Sequence, residues 1–169
     1  MTLFRDLADV SVRPAVPGDE AAVTAIQLGA WRATHDTALG EDVMERLDAE
    51  LMRERWKAAI ETAPGPGFAV LVALDGPDLV GFAAVAPGQV MSLEVAPAHR
   101  RAGHGSRLLA AAVDRLRADG AREVTTWVLD GDTARERFLA DCGLGADGTE
   151  RTLATGPRNV VERRWSASI

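Results

Sequence analysis

Residues 89–106 read Gln-Val-Met-Ser-Leu-Glu-Val-Ala-Pro-Ala-His-Arg-Arg-Ala-Gly-His-Gly-Ser, and this segment sets the layout of the chain. Its first half is apolar and β-branched and predicts a strand, which Pro97 ends. From Arg107 to Asp119 apolar residues recur at helical spacing, and Gly120 stands where a helix stops. The pattern predicts a strand and a helix joined by a short loop with two glycines and two arginines.

This loop has the composition of an anion-binding site. The start of a helix leaves backbone N–H groups without internal partners and carries a partial positive charge. Gly103 and Gly105 have no side chain to block a phosphate from the backbone, and Arg100 and Arg101 add forked cationic donors. We therefore expect a phosphate or pyrophosphate site from Arg101 to Ser106.

Other phosphate-binding motifs fit this loop less well. A Walker loop requires Gly-Lys-Ser/Thr, which is absent, and a dinucleotide fingerprint requires a third glycine where Leu108 stands. An ordinary strand-to-helix turn, with glycines only for tightness, remains an alternative.

The loop and the strand before it resemble a known family. Arg100-x-x-Gly103-x-Gly105 matches the Q/R-x-x-G-x-G/A signature of the GNAT N-acyltransferase superfamily, and Leu93-Glu94-Val95-x-Pro97 resembles the end of its central strand. The resemblance implies acetyl-CoA as co-substrate, with its pyrophosphate on the loop and its pantetheine arm along the strand. The cofactor-binding residues it implies are Leu93, Val95, Arg100, Arg101, Ala102, Gly103, His104, Gly105, Ser106, Asp132, Arg135 and Phe138.

A second signature of the family lies near the C-terminal end. The run from Asp132 to Gly143 resembles N-x-x-A-x-x-F-Y-x-x-x-G, with two departures. Asp132 stands in place of the asparagine, and Leu139 replaces the tyrosine that usually serves as general acid. The chain contains no tyrosine, so no other residue of that type replaces it.

The resemblance and the local patterns together predict one α/β domain over residues 1–169. We expect the GNAT fold, a mixed, mostly antiparallel twisted sheet of about seven strands flanked by about four helices, in which parallel strands 4 and 5 splay apart. The predicted strands are residues 10–14, 68–74, 79–86, 89–97 and 122–129, with a closing hairpin around residues 153–165. The predicted helices are residues 19–35, 41–62, 107–119 and 132–142.

Composition limits the classes of function. The formal net charge is −6, which argues against a nucleic-acid partner and mildly favours a cationic acceptor such as an amine. No apolar run is long enough to cross a membrane, and the N-terminal segment lacks the apolar core of a signal peptide. The single cysteine, Cys142, excludes an internal disulfide, and its spacing from Phe138 predicts a packed position. These features favour a cytoplasmic protein.

The resemblance implies direct transfer of an acetyl or other acyl group to a primary amine of a small molecule, peptide or protein. Gln89 stands where some relatives carry a glutamate base, so the candidate catalytic residues are Glu94, Asp132 and Gln89, the last only as a positioner of water. Trp31 and His35, one helical turn apart, are expected to line the acceptor pocket. No metal is expected. A homodimer is expected. The alternative to an enzyme is a non-catalytic module that binds acyl-CoA.

Overall fold

The computed structural model describes residues 10–34, 40–156 and 158–169. Its strands are β1 (Val10–Pro14), β2 (Ala69–Asp75), β3 (Asp78–Ala86), β4 (Gln89–Val95), β5 (Glu123–Leu129), β6 (Gly145–Ala154) and β7 (Asn159–Ser168). Its helices are α1 (Glu20–Thr34), α2 (Glu41–Glu45), α3 (Ala49–Glu61), α4 (His104–Ala118) and α5 (Thr133–Asp141), with a 3₁₀ turn at Pro97–His99. In the part of the chain described, no helix is long and apolar enough to cross a membrane.

All seven strands form one mixed sheet in the order β1-β2-β3-β4-β5-β7-β6. Every neighbouring pair is antiparallel except β4 and β5, which are parallel. Helix α4 packs its apolar face on one side of the sheet, where Leu108, Leu109 and Leu116 join the larger core. Val23 and Ile26 of α1 build a smaller core with Phe82. The predicted fold class, with its parallel pair inside an antiparallel sheet, is confirmed.

Strands β4 and β5 pair only near their N-terminal ends. The ladder between them consists of one residue pair, Gln89 with Thr125, and the hydroxyl of Thr126 donates to the carbonyl of Val90 over 3.0 Å. Toward their C-terminal ends the two strands separate, as predicted. The backbone N–H and C=O groups along the strand edges that face this gap are not used in pairing β4 with β5, and are therefore available to other groups.

A β-bulge at Met91 sets which side chains of β4 face which side. Ala84 pairs with Ser92 and Val85 with Val90, so Met91 has no partner residue across the ladder. Its side chain is 58% exposed although it lies in a central strand. Beyond the bulge, Leu93 joins the core beneath α4. Glu94 pairs with Phe82 and therefore faces the α1 side.

The predicted continuous helix from Glu41 to Thr62 is wrong. The structure has two helices, because the Asp48 carboxylate accepts a hydrogen bond from the backbone N–H of Leu51 over 3.0 Å and so begins a new helix. Helix α4 also begins at His104, three residues earlier than predicted, because Gly103 caps it.

The predicted packing of Cys142 is also wrong. The thiol is exposed, because α5 ends at Asp141 and Cys142 already belongs to the C-cap that follows it.

Candidate functional site

Two cavities meet where β4 and β5 separate. One, of about 480 Å³, lies over the loop before α4, and the other, of about 370 Å³, opens between the splayed strands toward the closing hairpin. The residues that line both cavities are Leu93, Glu94, Asp132, Arg135 and Phe138. Two bound molecules, one in each cavity, would therefore meet at these five residues.

The larger cavity is lined by the loop that the sequence predicted to bind an anion. Gly103 caps α4 with φ of 84°, a left-handed conformation that glycine adopts without strain, and it places no side chain over the exposed N–H groups of the first turn. Arg101 also has positive φ, 63°, so the chain makes two left-handed turns within three residues. Both of these residues line the cavity, together with His99, Arg100, Gly105 and Ser106.

Helix α5 supplies the opposite wall of this cavity. Ala134, Arg137, Phe138 and Asp141 recur at helical spacing and line it together. A Cβ at Gly105 would be 3.4 Å from the phenyl ring of Phe138, about van der Waals contact, so α4 and α5 approach closely here. Arg137 was not predicted from the sequence as a lining residue. Its helical spacing from Ala134 and Asp141, which places the three on one face of α5, was the signal that could have identified it.

Glu94 and Arg135 form the central ion pair of the site. Arg135 Nη2 donates to Glu94 Oε2 over 2.9 Å, and Arg135 Nη1 donates to the Leu93 carbonyl over 2.6 Å. The Glu94 side chain is 8% exposed and that of Arg135 is 24% exposed. The backbone N–H of Arg135 donates to Asp132 Oδ1 over 3.0 Å, so Asp132 caps α5 and fixes the start of the helix that carries Arg135.

The smaller cavity has mostly apolar walls. They come from distant parts of the chain: Trp31, Val43, Leu47, Val90, Met91, Trp127, Leu129, Leu153 and Val160. Glu162 adds a carboxylate, to which Arg151 donates over 2.6 Å, and the Arg151 guanidinium lies 4.2 Å from the centre of the Trp127 ring. Trp31 therefore lies where an acceptor pocket was expected, whereas His35 lies outside the described residues.

Three residues that the sequence singled out line neither cavity: Gln89, Ala102 and His104. Gln89 lies at the paired end of β4, five residues before Glu94 and so about 16 Å away along the strand. Ala102 contributes its carbonyl, which accepts from Arg107 Nη1 over 3.3 Å.

The His104 ring is buried and points toward Asp75, away from the loop cavity. Burial lowers the pKa of His104; the Asp75 carboxylate opposes this shift, while Arg107 and His99 add to it.

Comparison with known proteins gives concordant matches. Residues 29–144 match the acetyltransferase (GNAT) family. A mycothiol acetyltransferase from Kineococcus radiotolerans is 37% identical over 126 residues, which are 74% of this chain and 38% of that protein. The chain thus spans well under half the length of this curated relative.

Two solved structures share the fold. The PaiA N-acetyltransferase of Thermoplasma acidophilum, in complex with coenzyme A, superposes with a TM-score of 0.78 at 16% identity, covering 95% of this chain and 99% of that one. The putative acetyltransferase YncA of Salmonella typhimurium, with its cofactor acetyl-CoA, gives 0.67 at 18% identity, covering 95% and 94%.

Proposed function

The chain belongs to the acetyltransferase (GNAT) family, as its loop signature predicted, and from this membership we propose that it transfers the acetyl group of acetyl-CoA to a primary amine. The acyltransferase class expected from the sequence is confirmed together with the family. One observation supports the reaction above all others. The cavity over the glycine- and arginine-containing loop and an apolar cavity meet at a buried carboxylate, Glu94, between two splayed strands.

The loop cavity suits the pyrophosphate of acetyl-CoA. Backbone N–H groups at the start of α4 are oriented for anions, and Arg100, Arg101 and Arg137 add three guanidinium groups at its edge. A pantetheine arm lying along β4 would then bring the thioester to Leu93, Glu94 and Val95, at the junction of the cavities. Proximity of this kind is worth roughly 7–11 kcal/mol when reacting groups are held aligned.

Glu94 is the proposed general base. An alkylamine with pKa near 10.4 is almost fully protonated at neutral pH, and removing its proton costs about 4–5 kcal/mol. Arg135 holds Oε2 of Glu94, and among the described residues no hydrogen bond is made to Oε1. Oε1 is therefore the atom that would accept the proton, directly or through one water, at the junction of the two cavities.

Asp132 is the second candidate for the base. It lines both cavities, but Oδ1 caps α5, so we assign it the task of holding that helix in place. Gln89 is not part of the proposal, because it lies at the closed end of the strand pair.

Leu139, at the position expected for the acid, is 3% exposed and packs in the core. We propose that no side chain protonates the leaving group, which departs as a thiolate with an ordinary pKa near 8.5.

We further propose that the acceptor is an amine with an apolar body. The walls of the smaller cavity combine two tryptophans with aliphatic side chains, which favour an apolar group by burial of its surface. The charged side chains among the described lining residues are Glu94, Asp132, Glu162 and Arg135. With Arg151, which pairs with Glu162, three carboxylates face two guanidinium groups, and the remaining negative charge favours an ammonium group.

Release of the CoA thiol tests this proposal. The protein is incubated with acetyl-CoA and a panel of primary amines, in which each aralkyl or alkylamine is paired with a small polar amine of similar pKa. We expect thiol to appear with amine present, faster with the apolar member of each pair. Binding of acetyl-CoA without thiol release for any amine, including peptide N-termini and lysine side chains, would instead support the non-catalytic acyl-CoA-binding module. The expected homodimer and cytoplasmic location remain predictions.

A further inference from the structure

Three side chains converge at the base of the anion-binding loop. None of them is among the five residues that line both cavities. His99 ends the 3₁₀ turn, His104 begins α4 and Asp75 ends β2. Asp75 Oδ2 lies 3.7 Å from His99 Nδ1 and 3.7 Å from His104 Nε2, and one ligand atom from each residue lies within 4.8 Å of the other two. The two imidazole rings meet edge to face with centroids 6.3 Å apart.

These separations do not suit hydrogen bonds. An N–H···O hydrogen bond spans about 2.7–3.2 Å, so 3.7 Å leaves both contacts unmade. Around a tetrahedral zinc ion with bonds of about 2.1 Å, neighbouring ligand atoms are about 3.4 Å apart. The two separations from Asp75 are close to this value and wide enough to admit an ion, and the ligand atoms of His99 and His104 lie within 4.8 Å of each other.

The burial of His104 supports the same conclusion. Its ring is 2% exposed, and in the described part of the chain neither ring nitrogen makes a hydrogen bond, Nδ1 being fully enclosed. A buried polar group without a partner costs about 1–3 kcal/mol, so such groups usually have one. A cation would give a partner to Nε2, the nitrogen that faces Asp75, while Nδ1 stays enclosed on the other side of the ring.

We propose that Asp75, His99 and His104 form a binding site for a divalent metal ion of the zinc class. Imidazole nitrogens and a carboxylate oxygen are ligands that zinc accepts, and three protein ligands leave one position for water. The Asp75 and His99 side chains are 45% and 37% exposed, so the ion has a path from solvent and its fourth ligand has room. The carboxylate offsets part of the charge of the ion.

The position of this site gives it a consequence for the loop. His99 and His104 flank residues 100–103, so one ion would hold both ends of the anion-binding loop to the end of β2. Zinc is therefore expected to tighten binding of acetyl-CoA several-fold, because less of the loop remains to be ordered, and by linkage acetyl-CoA would tighten zinc to the same degree. This coupling rests on the proposed function, whereas the metal site itself does not.

Calorimetric titration of zinc chloride into the untagged, chelator-treated full chain tests the site. We expect one ion per chain for the wild type and at least about tenfold weaker binding for both variants, since His99→Ala loses a ligand and Asp75→Asn loses the negative charge of one. Both altered side chains are partly exposed, and circular dichroism checks that the variants fold. Asp78→Asn, an exposed carboxylate of the same hairpin, is the matched control and should bind like the wild type.

Two results would overturn the metal site: no zinc uptake by the wild type at 100-fold excess, or uptake unchanged in both ligand variants. A parallel acetyl-CoA titration, with and without zinc, separates the claims. Zinc binding without any acetyl-CoA binding would contradict the proposed function and leave the metal site standing. Equal acetyl-CoA affinity with and without zinc would contradict the proposed coupling between the metal site and the anion-binding loop.

Discussion

Glu94 shows how one side chain acquires its role from its surroundings. It follows a bulge that turns it to the α1 side of the sheet, and it lies at the only part of β4 that borders both cavities. Arg135 reaches it from α5 and also binds the Leu93 carbonyl, so the ion pair ties the two separated halves of the sheet together. A buried pair of this kind is costly to break by removing one partner, about 3–5 kcal/mol.

Glu94→Gln keeps the shape and hydrogen-bonding capacity of the side chain but removes the base. We expect kcat to fall by about 10²–10⁴, the usual contribution of general base catalysis, while acetyl-CoA affinity changes less than about threefold. Steady-state kinetics and calorimetry measure the two quantities, and Glu123→Gln, an exposed glutamate on β5, is the control. An unchanged kcat would exclude Glu94 as the base.

For individual residues, the sequence predicted the loop better than it predicted the partners of the proposed catalytic residues. Gly103, Arg101 and Ser106 lie on the cavity as expected, because a local signature fixes a local structure. Arg135, expected at the cofactor, lines both cavities, and its ion-pair partner is Glu94, a contact across 41 positions that no local pattern contains.

At the scale of elements, polar side chains next to helix starts decide where helices begin. Hydrophobic spacing alone predicted one helix from Glu41 to Thr62, but Asp48 caps a new helix within that range. Asp132 caps α5 in the same way. The helical periodicity continues through residues 46–48, so the sequence gives no break there. The residue that caps the second helix is one of several acidic residues in this range and was not distinguishable from the others.

The link between β1 and α1 depends on an ion pair that is expected to make stability depend on pH. Arg13 donates to both oxygens of Asp19 over 2.7 and 3.2 Å, and the backbone N–H of Val16 donates to Asp19 Oδ2 over 2.9 Å. The hydrogen bonds from Arg13 lower the pKa of Asp19 below its ordinary value of 3.8, against an opposing effect of burial. The pair's contribution is thus complete above the unfolded-state pKa and is lost as pH falls through the lower folded-state pKa.

Asp19→Asn should lower the free energy of unfolding by about 1–2 kcal/mol at pH 7, because it removes a charge-assisted bidentate contact. This difference from the wild type should shrink as the pH falls below about 4, where the carboxylate of the unfolded chain becomes protonated, and should vanish once the pH lies below the folded-state pKa. Urea unfolding at a series of pH values measures it. Asp114→Asn, whose side chain is 76% exposed, should have little effect at any pH. A deficit for Asp19→Asn that stays constant down to pH 2 would contradict the assignment.

For the whole molecule, the sheet order explains how the closing hairpin comes to line the smaller cavity. Strand β7 pairs with β5 and separates it from β6, so the closing hairpin places Leu153, Val160 and Glu162 beside β4 and α1. The sequence predicted the hairpin and the parallel pair, but which strand lies beside β5 depends on long-range packing. The loop cavity depends less on the sheet order, because one wall comes from the contiguous residues 93–106 and the opposite wall from α5.

The central claim is that this loop holds the phosphates of acetyl-CoA. A bulky residue at Gly103 would confuse the test, because φ of 84° strains any other residue there. Arg101→Gly is sharper. It removes one guanidinium from the cavity. It also removes the strain of a left-handed arginine, about 1–2 kcal/mol, so weaker binding is not explained by a strained loop, and circular dichroism checks that the variant folds.

The measurement is a calorimetric titration of acetyl-CoA into the wild type, Arg101→Gly and Arg122→Ala, an exposed arginine outside both cavities whose loss changes the net charge equally. We predict one acetyl-CoA per chain for the wild type, about tenfold weaker binding for Arg101→Gly, as expected for one charge-assisted contact, and no change for Arg122→Ala. A folded wild type that does not bind acetyl-CoA, or an Arg101→Gly variant that binds it as tightly as the wild type, would contradict the account.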